Sequence, residues 1–493
     1  MTPNGRKIVG ALLWAFAIFV FGLHVAGMVR RTGLPVAGND FPAFYCAGKA
    51  ILERADPYAT EPLRSCEHAL PRGSDLPAQY VTPAPLPPYA LDMWALVAKL
   101  AYPVAAWLFF IVLGASCVWL ALALARVTNL PSGAIACSLL LCAALGSVVF
   151  GQIPPLVTLA VVLCGAALLR GNDVVAAICA ACATIEPHVG LPVALALFMW
   201  RPATRIALVA LGLIAAAAGV LAVSPPVALA YLTTVLPAHA QAELLTVDQF
   251  SLSHVLARAG VADRTALVVG TLSYLLTLAL GVVAAKAASR RLGVAAIAYV
   301  PAATALLAGT FVHEIQMVAA LPAAFLCIAR GPALVAWAGR LVVAVVAAVP
   351  FTVALGHSSV IDALALASAG GALVACVADG EKVRWSRAIG AFALAAACVV
   401  FAVTLAHVHV PVSHPAAAAQ AVPTSTDASV NWGAYLRSDP RYDTLQLAAE
   451  AAKAPVWIGL LALLLSLLGT SRPHLGLTTQ PAWDRRPEIN LSS

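Results

Sequence analysis

Charge is what this sequence has least of. Asp, Glu, Lys and Arg make up 10% of the 493 residues, while 62% are hydrophobic; soluble domains carry about 25% charged residues. With a mean hydropathy of +0.91, the chain cannot cover a water-facing surface, which excludes a soluble globular protein and leaves a polytopic membrane protein. Nucleotide-handling signatures are missing too. There is no P-loop, no dinucleotide fingerprint and no G-x-S-x-G elbow, which argues against an ATP-driven pump or a cytosolic nucleotide-sugar enzyme. No internal repeat and no H-E-x-x-H metal motif is present. The net charge of +7 fits topology and anionic lipid, and no nucleic-acid partner is expected.

What is there is oil in segments. The N-terminus "MTPNGRKIVGALLWAFAIFVFGLHVAGM" places two basic residues before a run of roughly 20 apolar ones, long enough to span and longer than a signal-peptide core. We read it as an uncleaved anchor. Apolar runs mark further spans near 104–126, 133–149, 153–169, 173–185, 188–200, 206–223, 266–286, 293–309, 312–329, 333–354, 361–378, 388–409 and 455–470. The segments 173–185 and 188–200 are short for spans and read as half-helices meeting at "ATIEPHVGLP". The expected fold is an all-α polytopic membrane protein of about 11–14 transmembrane helices, one integral domain over 1–470. Its long extracytoplasmic loops, 29–103, 224–265 and 411–454, would carry short amphipathic helices.

Basic residues orient the bundle. With both termini cytoplasmic, the connections holding Arg126, Arg170, Arg201, Arg205, Arg290, Arg291, Arg330, Lys382, Arg384, Arg387 and Arg472 fall inside, as the positive-inside rule requires. Residues 471–493 then read as a disordered cytoplasmic tail, and the setting as a bacterial-type inner or plasma membrane. About 17 of the 22 acidic residues and most histidines lie on the outer side under this assignment. The chemistry is expected there.

Asp40 opens the stretch "DFPAFYCAGKAIL", an aromatic-rich helix pattern that would lie at the membrane surface. A carboxylate there can act as a general base toward a hydroxyl; equally, an Asp two residues before Pro42 suits a helix N-cap. Asp56 in "DPY" reads as a turn former as well as a substrate contact. Gln152 in "FGQIPPLV", Glu186 and His188 in "IEPHVG", and His313 and Glu314 in "TFVHEIQM" put polar groups at membrane depth, where they are expensive unless used or paired. In "VDQFSLSHVLARAG", Ser251, His254 and Arg258 share a helix face beside Gln249, and Arg258 offers a fork for a phosphate. A solvated loop helix is the plain alternative. With Tyr45 these residues form the candidate substrate and donor set. All eleven cysteines except Cys46 and Cys66 sit in apolar spans, where Cys179 and Cys182 read as packing. Cys46 and Cys66 would be free to pair in an oxidising compartment.

Taken in order, "NDFPAFYCAGKAIL", "DPY", "TPAPLPPYALDMWALVAKL", "GQIPPLVTLAVVLCGAALLRGNDVVAAICAACATIEPHVGLPVALALF" and "DQFSLSHVL" resemble glycosyltransferase family 87 over roughly residues 1–330. The resemblance implies a GT-C-class membrane enzyme related to polyprenol-phosphate-mannose-dependent mannosyltransferases. Such an enzyme moves mannose or a similar sugar from a polyprenyl-phosphate donor to a lipid or glycan hydroxyl, with inversion, on the extracytoplasmic face. It implies Asp40 as general base and a membrane-lipid setting. One departure is Glu186, where a basic residue is expected to meet donor phosphate; that task would pass to Arg258, His188 or His313. The first outer loop lacks a strict pair of adjacent acids, which puts metal dependence in doubt; no cofactor is expected, and a divalent metal is open but without support in the motifs. Two other readings remain: a transporter or flippase of lipid-linked sugars, which would hold its ionisable residues near the midplane, and a ligase using a polyprenyl-pyrophosphate donor.

Overall fold

The structure is a computed structural model that describes residues 3–34, 40–70, 76–141, 143–244, 246, 249–354, 409–411, 427–438 and 444–469. The expected span 361–378, nearly all of 388–409 and the tail 471–493 lie outside the described residues.

The architecture is helical, as the composition demands, because a chain in lipid must satisfy its own backbone groups. Helix α1 (Pro3–Thr32) leads to three shorter helices, α2 (Asp40–Leu52), α3 (Thr60–Ala69) and α4 (Pro88–Val97), before α5 (Tyr102–Thr128). Asn129 ends α5 in the left-handed conformation, its N–H donating to the Ala125 carbonyl at 2.8 Å. Then come α6 (Ser132–Leu141), α7 (Ala143–Phe150), α8 (Pro154–Leu169), α9 (Asp173–Ala183), α10 (Pro187–Trp200) and α11 (Arg205–Val223). Prolines at the first positions of α4, α8 and α10 start those helices where a missing N–H is harmless. Asn172 caps α9 by accepting the Val175 N–H at 3.1 Å.

The second long connection holds α12 (Pro225–Ala230), α13 (Leu236–Glu243) and α14 (Leu252–Arg258). The chain returns through α15 (Asp263–Leu292), α16 (Ala296–Ala305), the 3-10 turn Glu314–Ala320, α17 (Leu321–Arg330) and α18 (Ala333–Ala354). Helices α19 (Ala428–Ser438) and α20 (Leu447–Gly469) complete the described chain. A three-residue antiparallel pair, β1 (His409–Pro411) with β2 (Thr444–Gln446), is a small departure from the all-α expectation.

Among the described residues, four helices are long and apolar enough to cross a membrane: α1 over Gly10–Gly27, α5, the run Pro202–Val223 and α15. Six other apolar helices are shorter. Among them α9 and α10 rise only about 17 and 21 Å, against the roughly 30 Å of a bilayer core. They pack as a tight hairpin in which Gly190 lies against the backbone of Ala183 and Thr184.

Arginines gather the opposite ends of the helices. Arg201 grips Asp173 with Nη2 and Nε at 2.7 and 3.0 Å. Arg330 donates to the Val127 carbonyl at 2.7 Å and the Leu292 carbonyl at 3.1 Å, joining the C-terminal ends of α5, α15 and α17. The first turns of α5, α8 and α10 and the 224–265 connection lie at the other end.

One expectation is corrected. The apolar side of helix α2 is not laid against lipid; nine of its residues, from Phe41 to Ala50, are buried in protein. Gly48 lets the α4 backbone approach so closely that a Cβ there would overlap the Trp94 carbonyl. Phe41 packs on Trp94, Tyr102 and Phe109, so aromatic burial outweighs the amphipathic pattern.

Candidate active site

Two polar clusters occupy the end remote from the arginines. The first forms around Asp40. This residue opens α2, and a disulfide between Cys46 and Cys66, Cα atoms 5.7 Å apart, ties α2 to α3. The next residue, Glu67, is fully buried. Its Oε2 accepts the Thr82 N–H at 3.3 Å, while Oε1 has no hydrogen-bond partner among the described residues. Burial pushes the Glu67 carboxyl up to about 8, the Thr82 N–H opposing this and the nearby charge of Asp40 adding to it. Asp40 therefore stands beside a second carboxyl that keeps its proton at neutral pH.

Tyr45 is placed by packing, its hydroxyl donating to the Leu100 carbonyl at 2.8 Å and its ring set edge-on to Tyr102. Asp56 accepts the Tyr58 N–H at 2.9 Å and closes the turn after α2. Tyr58 in turn donates to Leu86. Gln152 lies half-buried in the turn between α7 and α8.

The second cluster draws on five separate segments. Residues 249–250 and 312–313 run antiparallel, with Phe250 N–H donating to Val312 at 2.6 Å and Val312 N–H to Gln249 Oε1 at 2.8 Å. This pairing sets Gln249 Nε2 3.0 Å from Glu243 Oε2 and 3.1 Å from His313 Nε2. Glu243 is the hub. It also accepts from Thr246 at 2.8 Å and from the Trp432 indole at 3.0 Å. His239, one turn back on α13, puts Nε2 3.8 Å from Glu243 Oε1, and His313 Nε2 is 3.5 Å from Oε2. Burial pulls His239 down to about 4, although Glu243 pulls it up and His313 adds to the fall. Both His239 and Glu243 are buried.

Glu186 and His188 approach from the α9–α10 turn, where both interact with Gln316 and feel His313. Burial raises the Glu186 carboxyl to about 8, against the pull of His313 and Gln316. Glu314 Oε1 lies on the α7 side, near Gly146. His254 is fixed by Leu244 at 2.9 Å and by the ammonium of Lys453 at 2.9 Å. Ser251 caps α14 by accepting the His254 N–H at 3.2 Å, and Arg258 is buried at the other end of that helix.

The clusters adjoin. Thr82 bonds Glu67, Val81 N–H donates to Asn431 Oδ1 at 2.9 Å, and the following Trp432 reaches Glu243. The structure thus brings Glu186, His188, Gln249, His254 and His313 together and places Asp40 near Glu67 in the adjoining cluster. Sequence reasoning missed Glu67, His239, Glu243, Trp432 and Lys453. Only "HAQAE" carried a local signal, since His239 and Glu243 at i and i+4 share a helix face.

Residues 86–312 match the model of glycosyltransferase family 87. No curated protein and no solved structure matches the chain. The match, with the long apolar helices, supports a membrane-bound glycosyltransferase.

Proposed function

Since residues 86–312 match glycosyltransferase family 87, we propose that the protein moves mannose or a similar sugar from a polyprenyl phosphate to a lipid or glycan hydroxyl. The polar end of the bundle is then extracytoplasmic and the arginine end, with both termini, cytoplasmic. The observation that carries this reading is the gathering of buried ionisable groups at one end of the helices, opposite Arg201 and Arg330. A transporter needs such groups near the midplane of an alternating cavity.

Asp40 is the base. At neutral pH Glu67 holds a proton, and Asp40 beside it takes the proton of the acceptor hydroxyl. The hydroxyl oxygen attacks the anomeric carbon, the bond to phosphate breaks, and the phosphate leaves with the electron pair. A single displacement inverts the anomeric centre. The departing phosphate carries its own charge and needs cations rather than an acid. Lys453 and Arg258, both buried beside His254 in space or on the same helix, supply them.

The test is sugar transfer by purified protein in liposomes, with labelled polyprenyl-phosphate hexoses as donors and the host's own lipids as acceptor. Asp40→Asn should lose about 100-fold or more with the fold intact. Activity surviving that change would make Asp40 a helix cap. Transfer only from polyprenyl-pyrophosphate donors would favour a ligase, and no transfer from any donor a transporter.

A further inference from the structure

Glu243 is a buried carboxylate whose described hydrogen-bond donors, Thr246, Gln249 and Trp432, are all neutral. A buried charge without a compensating cation is unfavourable. Two imidazoles flank it, and the ligand atoms of His239, Glu243 and His313 all lie within 4.8 Å of one another. His239 is 5% exposed. Among the described residues its Nδ1 has no hydrogen-bond partner, and its Nε2 faces Glu243 from 3.8 Å, beyond hydrogen-bond range. Neither ring nitrogen is thus held by a hydrogen bond among the described residues, and Nε2 is the one that faces the carboxylate.

We propose that His239, Glu243 and His313 bind one divalent transition-metal ion of the zinc type. Two imidazoles and one carboxylate are a ligand set that suits zinc, whereas magnesium and calcium ask for oxygen ligands throughout. Bonds of about 2.0–2.1 Å to a tetrahedral ion place ligand atoms roughly 3.3 Å apart. Glu243 Oε2 lies 3.5 Å from His313 Nε2 and its other oxygen, Oε1, 3.8 Å from His239 Nε2; with one atom per residue the three ligands are within 4.8 Å of one another, and side-chain rotations close the cage. His239 and Glu243 are one turn apart on α13 and need no backbone change.

The surrounding groups act as an outer shell. Trp432, Thr246 and Gln249 orient the Glu243 carboxylate from three directions, which is how ligating carboxylates are held in metal sites. On ligation the Gln249 amide stays on Glu243 Oε2 and releases the His313 ring nitrogen to the ion. Three protein ligands leave a fourth position for water or an anionic oxygen, the arrangement of a reactive rather than a structural site.

The inference does not depend on sugar transfer, because binding is read without substrate. Purified full-length protein in nanodiscs, freed of any affinity tag and stripped with a chelator, is titrated with Co2+ and then Zn2+. Metal content is read by mass spectrometry, and Co2+ geometry by visible absorption. The wild type should retain about one equivalent with a tetrahedral Co2+ spectrum that Zn2+ abolishes. His239→Gln and His313→Gln should each weaken binding at least about 100-fold, with elution and metal-free melting unchanged. Glu243→Gln, which keeps the side chain's size but replaces one accepting oxygen by an N–H donor, should weaken binding as much. A wild type that retains under a tenth of an equivalent overturns the proposal. So do folded variants that bind as well as wild type.

Discussion

Replacing Glu67 by Gln tests the buried carboxyl beside Asp40. The side chain is fully enclosed, and its proton is retained up to about pH 8, against an ordinary value of 4.5. The folded pKa is raised, so this group's contribution to stability is fully present below pH 4.5 and is lost as pH rises through 8. At about 1.36 kcal/mol per pH unit, ionising the unfolded chain alone removes about 4 kcal/mol between pH 5 and pH 9. Gln keeps the size and an oxygen for the Thr82 N–H and does not titrate. The assay is intrinsic tryptophan fluorescence melting of wild type and Glu67→Gln from pH 5 to 9. The two should diverge with pH, the variant gaining several degrees over wild type at pH 9 relative to pH 5. Comparing the pair cancels the opposite contribution of His239, whose lowered pKa gives stability above 6.5 that is lost as pH falls through 4. A melting difference that stays constant across the range would refute the claim that Glu67 is neutral in the folded protein.

Further outcomes follow from the same contacts. Loss of transfer in Asp40→Asn and loss of Co2+ in His239→Gln test the two halves of the site separately. Cys46→Ser or Cys66→Ser opens a loop with a separation of 20 residues and should lower stability by about 3 kcal/mol, seen as an earlier melt that reductant reproduces in the wild type. Gly48→Ala drives a methyl into the Trp94 carbonyl and should destabilise by about 1–3 kcal/mol or more. Gly27→Ala on α1, where nothing lies near, should leave the melt no lower.

Much of the scaffold was legible because lipid leaves few options. Apolar runs located α5, α11 and α15, and the arginines at their ends matched the gathering at Arg201 and Arg330. The site was legible only in fragments. Gln249, His254 and His313 stood out as polar groups among apolar ones, but what they touch is set by contacts across great sequence distance. Trp432 lies 189 residues from Glu243, and Lys453 lies 199 from His254. Lys453 reads in sequence as an ordinary lysine before a last span. Glu67 looked like one acid among several in a polar loop, because nothing local reveals that Cys66 turns it inward. The lipid contact expected for α2 failed for a related reason. Its apolar side meets α4 and α5 rather than lipid, and no periodicity distinguishes those two oils.

Arg330 has a consequence for how the molecule is assembled. One guanidinium holds carbonyls at the ends of two helices, and the bond to Val127 spans 203 residues of chain. A chain threaded into the bilayer from its N-terminus has both acceptors in place long before their donor arrives. Until α17 is inserted, the end of α5 lacks this clasp and the early helices form an unfastened sheaf. A chain ended between residues 292 and 330 would keep both acceptor helices, α5 and α15, yet lack the donor that joins their ends.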